Sequence, residues 1–450
     1  MAVFRFETIA PDEAMTLTVD DTVWFETGSA LRTSVLFLEA SGAYAVTIDD
    51  RTVLFGPALA DVAAEGGLKY PDLSRLLVGG PGNDALLAEA GSPIAILGGG
   101  GNDMLRAMSP FATARGDDGD DTITGVEGAT MFGGLGADVL SVVDDGSGHG
   151  GFLHGNLGDD QISGSHADEI LLGGQGSDLV VGSGGNDILI GNRGDDTVQG
   201  TGHLMGESGS DMLISQTTEA GRGDDLDGGE DADTLQGAAG TDTLAGGTGD
   251  DWVSDSGGLE NRLDGGSGND VLEVTGGSAT LMGGEGEDTL SGGDADEVMA
   301  DGGAGQDVLY GSTGADTLVA GDGGDTLEGG AGGDRLYGGG GADVFVMPNA
   351  AIRDGIAITD ISLTPQILDW SADDRIRFPE ALQSPAALAT ATALDIASAV
   401  DRAEQLGADP DVDLVAVQVA GDVILFWQGA APSAVLVGNS LADISADSFI

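Results

Sequence analysis

An aspartate followed two places later by an apolar residue recurs with a fixed phase through residues 79–346. The pair belongs to a nine-residue phrase with glycine favoured at positions 1, 2 and 4, aspartate at position 6 and an apolar residue at position 8. Its clearest copies are residues 173–181 and 283–291. Glycine permits backbone conformations with positive φ, and an inward apolar residue between outward neighbours has the period of a β-strand. Each phrase therefore predicts a tight turn followed by a short strand.

The phrases repeat at about twice their own length. They begin at residues 79, 98, 116, 133, 155, 173, 191, 206, 228, 246, 265, 283, 302, 320 and 338. A chain that completes two such phrases per turn predicts a parallel β-roll of about 15 turns and roughly 70 Å in length. A glycine-rich flexible linker is the alternative, since glycine makes up 81 of the 450 residues, but the fixed phase argues against it.

A second and less regular series of phrases lies between the first. Good copies occur at 182–190, 237–245, 311–319 and 329–337, whereas 164–172 and 292–300 carry Glu169 and Glu297 in place of the aspartate. Residues 107–115, 255–264 and 274–282 lack the loop altogether. One edge of the roll is therefore expected to be regular and the other ragged. Two insertions, 142–154 and 215–227, are expected to bulge from the ragged edge.

The composition adds a strong negative charge. The chain has 15 lysine and arginine residues against 77 aspartate and glutamate residues, a formal net charge of -62. Such a charge repels phosphate, which excludes nucleic-acid binding as a main role and opposes unaided docking on anionic lipid. It also keeps the repeat region expanded until a counter-ion binds. Glycine carbonyl oxygens and aspartates are ligands that Ca²⁺ prefers, so calcium is the expected folding partner.

The segments on either side do not follow the phrase. Residues 1–78 contain β-branched and aromatic runs at 16–19, 22–25, 34–38, 44–48 and 52–55, which predict a small antiparallel β domain that caps the roll or mediates assembly. Residues 347–450 predict a mainly β domain with strands at 413–419, 422–427 and 434–437 and a helix at 386–406, N-capped by Ser384. The expected domains are therefore 1–78, 79–346 and 347–450. No apolar run predicts a membrane span, and the start lacks the pattern of a cleaved signal peptide.

The repeat region resembles the repeats-in-toxin (RTX) family of secreted calcium-binding proteins. The phrase at 338–346, the segment at 369–376 and the last four residues, 447–450, look like that family's carboxyl-terminal region. The resemblance implies export by a type I secretion machinery that reads an uncleaved carboxyl-terminal signal, with folding outside the cell. It also implies that each Ca²⁺ lies between consecutive loops, held by backbone carbonyls and two position-6 carboxylates.

On this resemblance the metal ligands are position-6 aspartates of both series. They are Asp84, Asp103, Asp121, Asp138, Asp160, Asp178, Asp187, Asp196, Asp211, Asp233, Asp251, Asp270, Asp288, Asp307, Asp316, Asp325, Asp334 and Asp343. Glu169 and Glu297 depart from the pattern and are not included.

No catalytic constellation accompanies the repeat. None of the four histidines stands in a His-Glu-x-x-His zinc motif, and no Gly-x-Ser-x-Gly elbow occurs. The leading hypothesis is therefore a secreted, non-enzymatic, calcium-binding structural protein of the bacterial cell surface (surface layer, filament or biofilm matrix) that self-associates on binding Ca²⁺. The first alternative is a calcium-dependent adhesin that binds surface polysaccharide through a terminal domain. The second is an RTX-linked polysaccharide-modifying enzyme.

Overall fold

The computed structural model describes residues 75–88, 94–218, 221–347, 364–377, 414–427, 431–445 and 448–449, with shorter pieces of 3–69 and 388–403. The regular secondary structure of the described residues is almost entirely β-strand, and the chain falls into two compact units, Met1–Gln216 and Thr217–Ile450. Each unit contains a parallel β-solenoid, with about 15 turns in all. The all-β roll predicted from the nine-residue phrase is confirmed.

In the first unit, each turn of the roll contributes one strand to each of two parallel sheets. One sheet contains Ala85–Ala88, Met104–Ala107, Thr122–Val126, Val139–Val143, Gln161–Ser163, Leu179–Val181, Thr197–Gly200 and Met212–Ser215. The other contains Arg75–Val78, Ile94–Gly100, Thr113–Asp118, Thr130–Leu135, Phe152–Leu157, Ile170–Gln175, Asp187–Arg193 and Gly202–Ser208. Equivalent phrase positions are paired between turns, as Leu140 is with Ile162.

The second unit repeats this arrangement. One sheet contains Thr234–Gly237, Trp252–Asp255, Val271–Val274, Thr289–Ser291, Val308–Ser312, Thr326–Gly330, Val344–Val346 and Arg375–Arg377. The other contains Asp225–Glu230, Thr243–Thr248, Asn261–Ser267, Ser278–Glu285, Glu297–Ala304, Thr317–Asp322, Arg335–Gly340 and Gln366–Ile367.

The core of each unit is a double column of position-8 side chains. Leu105, Ile123 and Leu140 in one sheet of the first unit are completely buried, as are Leu272 and Leu290 in the second. Their neighbours on either side along each strand point outward and are wholly or partly exposed. Burying a leucine or isoleucine side chain contributes about 1.5–3 kcal/mol. One large apolar residue per strand therefore supplies much of what holds successive turns together.

The amino-terminal segment packs against the first turns of the roll. Three of its strands, Ser34–Leu38, Ala43–Ile48 and Arg51–Phe55, are antiparallel as predicted. Three others, Val3–Arg5, Thr22–Trp24 and Leu68–Lys69, pair in parallel, so the expectation of a purely antiparallel domain is wrong. Its core side chains share a cluster with strands of the roll: Phe6, Ile9, Ala14, Val23, Tyr44, Val46, Val53, Phe55 and Leu59 pack with Leu76, Val78, Ala95 and Leu97. The predicted strand at 16–19 lies outside the described residues.

The carboxyl-terminal segment forms a further sheet in the second unit. Its strands are Leu388–Ala393, Leu414–Val419, Asp422–Trp427 and Ala431–Leu436, followed by a short 3₁₀ helix at Leu441–Asp443. The helix predicted for 386–406 is wrong over Leu388–Ala393, which pairs in parallel with Leu414–Val419. Threonine at every second place of that run favours a strand. Ala399 and Ala403, farther along, are helical and buried, and Ser384 lies outside the described residues.

The roll of the second unit continues beyond residue 346. Gln366–Ile367 pairs in parallel with Arg335 and Leu336, and Arg375–Arg377 pairs with Val344–Val346. Gln366 and Ile367 also pair with Val435 and Leu436 of the carboxyl-terminal sheet. That sheet thus extends one face of the roll and covers an edge that would otherwise remain open.

Candidate metal centre

The loops that begin at the regular series of phrases lie along one edge of the roll in each unit, here called the primary edge. Those of the second series lie along the opposite, secondary edge. From residue 98 onward, position 2 of every primary loop has a positive φ, from 74° at Asp117 to 136° at Gly134. Asn156, Asn192 and Glu207 adopt this left-handed conformation without being glycine. The fold therefore imposes the conformation at this position whichever residue occupies it.

Along the primary edge, one oxygen of each position-6 carboxylate ties two turns together. The backbone N–H of Asp103 donates to Oδ1 of Asp121 at 2.7 Å, and the N–H of Asp288 donates to Oδ1 of Asp307 at 2.9 Å. The same bond recurs from turn to turn within each unit. The aspartates thus form a ladder in which each carboxylate satisfies a backbone donor of the preceding turn.

The second oxygen of these carboxylates is buried without a hydrogen bond. This holds on the primary edge for Oδ2 of Asp103, Asp121, Asp138, Asp160, Asp178, Asp196, Asp251, Asp270, Asp288, Asp307 and Asp325, and on the secondary edge for Oδ2 of Asp334. Except in the loop of Asp325, where position 1 is Ala320, each lies over the position-1 glycine of its own loop: a Cβ built on Gly116 would stand 1.9 Å from Asp121 Oδ2 and 2.7 Å from the carbonyl oxygen of Gly133. A buried, charged oxygen without a partner is costly, so the loop needs a cation or a proton at this point.

The backbone at position 2 decides whether that oxygen receives a hydrogen bond. In all twelve loops just named, position 2 has a positive φ and no N–H reaches the oxygen. In four other loops position 2 does not have a positive φ, and its N–H donates to the second oxygen: Gly80 to Asp84, Ser165 to Glu169, Ala238 to Asp242 and Ser312 to Asp316. In these four loops the protein itself supplies a donor to the second oxygen.

Burial raises the pKa of the ladder carboxyls. Desolvation is the largest cause; it raises the pKa of Asp121 from 3.8 to about 7 and that of Asp288 to about 6. The hydrogen bond from the preceding turn lowers these pKa values in part, and repulsion from neighbouring aspartates raises them again. A bound cation would reverse the shift, because it favours the ionised form.

The remaining oxygens of the loops suit calcium. A Cβ on Gly119 would stand 2.2 Å from the carbonyl oxygen of Gly101, and one on Gly176 would stand 2.1 Å from that of Gly158. Carbonyl oxygens are thus stacked at position 4 with no side chain covering them. The described residues contain no group of three or more His, Cys, Asp or Glu side chains placed to hold a metal. A cation at this edge would be held by one or two carboxylates and several carbonyls, which is a donor set for Ca²⁺ and not for a softer metal.

A family model agrees with this chemistry. The model, for four copies of the RTX calcium-binding nonapeptide repeat, matches residues 145–180, 172–202, 181–213, 220–253, 255–278, 273–309, 299–327 and 319–346. The chain carries RTX calcium-binding repeats within residues 145–346. No curated protein matches it. Repeats of this kind bind calcium, and proteins that carry them are typically secreted. The ladder seen in the structure begins at Asp84 and Asp103, well before the first matched residue.

The eighteen aspartates predicted as ligands do not all have the same surroundings. Asp187 and Asp334 lie on the secondary edge but have the primary geometry, with Ser183 and Gly330 left-handed at position 2. Asp211, Asp233 and Asp343 are buried in primary loops whose position 2 is also left-handed. Asp84 and Asp316 are the two whose second oxygen accepts a backbone N–H. Among the predicted ligands, these two have the least need of an ion.

Sequence reasoning missed several members of the RTX ladder. Asp374 accepts the N–H of Asp343 at 3.2 Å and ends the primary edge, and Asp224 accepts a hydrogen bond from the hydroxyl of Thr217 on the secondary edge. Both are followed two places later by an apolar residue, Ile376 and Leu226, and that pair would have revealed them. Glu297 is not at position 6, because the N–H of the next residue, Val298, makes the ladder bond.

The four histidines, all among the described residues, show no metal-binding arrangement. The His149 ring lies edge-on to Phe111, with 5.2 Å between centroids, and His154 lies beside Phe132. His166 Nδ1 lies 3.2 Å from an oxygen of the Asp144 carboxylate. Among the described residues, no helix has the length and apolar character needed to cross a membrane.

Proposed function

We propose that this RTX protein is a secreted, non-enzymatic structural protein of the bacterial cell surface that folds and assembles when Ca²⁺ binds outside the cell. The observation that carries the proposal is the ladder of buried carboxylate oxygens along the primary edge, which no hydrogen bond reaches. Calcium at these oxygens would add its binding free energy to that of folding. The roll then becomes rigid only where calcium is plentiful.

Assembly is supported by an outward row of side chains in the second unit. Position-7 residues of successive strands stand in register along one sheet: Thr234, Trp252, Val271, Thr289, Val308, Thr326 and Val344. None of them is charged, although the chain has a net charge of -62. Trp252 and Val271 are 40% and 41% exposed. A flat, uncharged stripe of this kind suits packing of one roll against another.

Electron microscopy and sedimentation of the full chain, with and without Ca²⁺, test the proposal. Ordered sheets or fibres that form only with calcium support it, while dispersed monomers in both conditions contradict it. Val271→Lys separates folding from assembly, because it places a charge in the stripe and leaves the calcium loops intact. We expect that variant to gain the same β-sheet circular dichroism signal with calcium and to remain monomeric.

Export by a type I secretion machinery is part of the proposal. It rests on the resemblance of residues 338–346, 369–376 and 447–450 to the carboxyl-terminal region of RTX proteins. In cells that export the full chain, a chain lacking residues 378–450 should remain inside. Equal export of both chains would place the signal elsewhere.

A carbohydrate-binding adhesin is the second candidate, favoured by a groove in the first unit. The groove has a volume of about 860 Å³, and its lining includes Tyr44, Arg115, Phe132 and Asn156. The guanidinium carbon of Arg115 lies 4.8 Å from the centroid of the Phe132 ring. An aromatic ring beside polar groups in a concave site is suited to a small ligand such as a sugar. Glycan-array binding by the full chain that Phe132→Ala abolishes would favour this function over the structural one.

A further inference from the structure

Two carboxylates and an amide are buried together on the secondary edge of the second unit, where the repeat pattern becomes irregular. Asp242, Asp255 and Asn261 are 1%, 2% and 1% exposed. Asp242 is at position 6 of the phrase at 237–245, whereas Asp255 and Asn261 lie in 255–264, where the sequence lacks the loop, and Asp255 is not at position 6 of any phrase. The repeat therefore does not explain why Asp255 is acidic or why it is buried.

Asn261 takes the place of a ladder aspartate and holds Asp255 in position. Its Oδ1 accepts the backbone N–H of Asp242 at 2.9 Å, the bond that an aspartate carboxylate makes in the other turns. Its Nδ2 stands where an aspartate would have its second oxygen, and it donates to Asp255 Oδ1 and to the Gly257 carbonyl oxygen, each at 2.6 Å. The Gly257 N–H also donates to Asp255 Oδ1 at 2.9 Å. One oxygen of Asp255 is thus fully engaged, and this fixes the direction of the other.

The second oxygen of Asp255 faces the carboxylate of Asp242 across Gly237. A Cβ on Gly237 would stand 2.1 Å from Asp255 Oδ2 and 3.3 Å from Asp242 Oδ2. In a regular primary loop, the place beside the position-1 glycine holds one carboxylate oxygen and a carbonyl oxygen of the next turn, as it does at Gly116. At Gly237 a second carboxylate replaces that carbonyl. The backbone N–H of Ala238 donates to Asp242 Oδ2 at 3.2 Å, whereas Asp255 Oδ2 has no hydrogen-bond partner.

We propose that Asp255, which lies outside the repeat phrases, joins Asp242 in binding one divalent cation beside the loop at 237–245, with Ca²⁺ as the expected ion. Two carboxylates that face one another in a buried place repel unless a cation or a proton lies between them. The oxygens present are of the kind that calcium prefers. The inference depends on the proposed calcium-dependent folding, since the site forms only when the turns are stacked.

Native mass spectrometry of the full chain in Ca²⁺ tests the site by counting the ions bound. We expect Asp255→Asn to bind one ion fewer than the wild type, with the same β-sheet circular dichroism spectrum. Asp264→Asn is the matched control: its carboxylate is 2.9 Å from the Arg262 guanidinium on the surface of the same unit, and it should lose no ion. In a crystal grown with calcium, an anomalous difference peak between the two carboxylates is expected as well.

The possible results separate this proposal from the wider one. If the wild type binds many ions and Asp255→Asn binds the same number, the pair shares a proton and the inference is wrong, while the proposed function stands. If the wild type binds no calcium, the proposed function fails as well. Should Asp255→Asn not fold, the wild-type crystal grown with calcium decides: an anomalous peak between the two carboxylates supports the inference, and its absence beside occupied repeat loops overturns it.

Discussion

Replacing Asp270 by asparagine should impair calcium-induced folding of the second unit. Asp270 is 1% exposed, its Oδ1 accepts the Asp251 N–H at 2.9 Å, and its Oδ2 has no hydrogen bond. An asparagine can keep the first bond through its own oxygen. It replaces the second oxygen with an N–H group, which cannot bind a cation. The change therefore removes the negative ligand and leaves the geometry of the loop nearly unaltered.

The size of the effect follows from the buried charge. Without calcium, ionised Asp270 is destabilising, because burial raises its pKa from 3.8 to about 6. That shift corresponds to at most about 3 kcal/mol, and water at the loop edge reduces it to about 1–2 kcal/mol. With calcium, loss of the carboxylate leaves a buried cation short of a partner, which costs about 3 kcal/mol. Asparagine should thus stabilise the folded state of the calcium-free chain and destabilise that of the calcium-loaded chain.

A calcium titration followed by circular dichroism at pH 7.5 measures the difference. If about seven ions are taken up together by the seven primary loops of the second unit, a loss of about 3 kcal/mol is about 0.4 kcal/mol for each ion. The midpoint calcium concentration should then rise about two-fold. Asp301→Asn is the control, since it removes the same charge from an exposed residue of the same unit, and it should not raise the midpoint. Equal midpoints for Asp270→Asn and the control would refute the reasoning.

The structure makes four further predictions. Gly116→Ala should lower the free energy of unfolding in calcium by about 1–3 kcal/mol, because the new Cβ would stand 1.9 Å from a carboxylate oxygen. Gly421→Ala is the control: its Cβ would meet nothing within 4 Å, and the variant should keep nearly the same thermal unfolding temperature. Asp316→Asn should cost stability but no bound ion in native mass spectrometry, because backbone and hydroxyl donors of the protein already satisfy its carboxylate; loss of an ion would contradict this. Leu290→Ala should cost about 2–5 kcal/mol in urea unfolding, and Val271→Ala, at an exposed position, much less. Without calcium, burial raises the folded-state pKa values of ladder carboxyls from 3.8 to about 6 or 7. The folded chain then binds more protons than the unfolded one, so its stability should fall as pH rises from about 4 to 7. A circular dichroism signal that grew with pH in the presence of chelator would contradict this.

The sequence predicts those parts of the fold in which a position accepts only one type of residue. Position 8 must be apolar because its side chain is completely enclosed, as Leu140 and Leu290 are, so its spacing reveals both sheets. The sequence also predicts the strands Ser34–Leu38 and Asp422–Trp427, because each is a run rich in β-branched and aromatic residues that is bounded by turn residues. The parallel pairing of Val3–Arg5 with Thr22–Trp24 has no such signal. It depends on how the segment packs against the roll.

The candidate metal centre is predictable in its ligands but not in its exceptions. Aspartate at position 6 looks the same in sequence at Asp270 and at Asp316. Yet the second oxygen of Asp316 accepts a backbone N–H, whereas that of Asp270 accepts none. The difference lies in the backbone at position 2 of the loop. Ser183, at position 2 of the loop of Asp187, has a positive φ, whereas Ser312, at position 2 of the loop of Asp316, does not. A serine does not reveal in advance which conformation it adopts. Asp255 was missed for another reason, because its role depends on Asn261 and Gly237, which no periodic pattern connects to it.

The hydrogen bonds of the ladder all point the same way along the chain. The Asp251 N–H reaches forward to Asp270, and the Asp343 N–H reaches forward to Asp374. The N–H of each of these aspartates is therefore satisfied only when the following turn is in place, so a roll cut short at its carboxyl end would leave one buried donor without its acceptor.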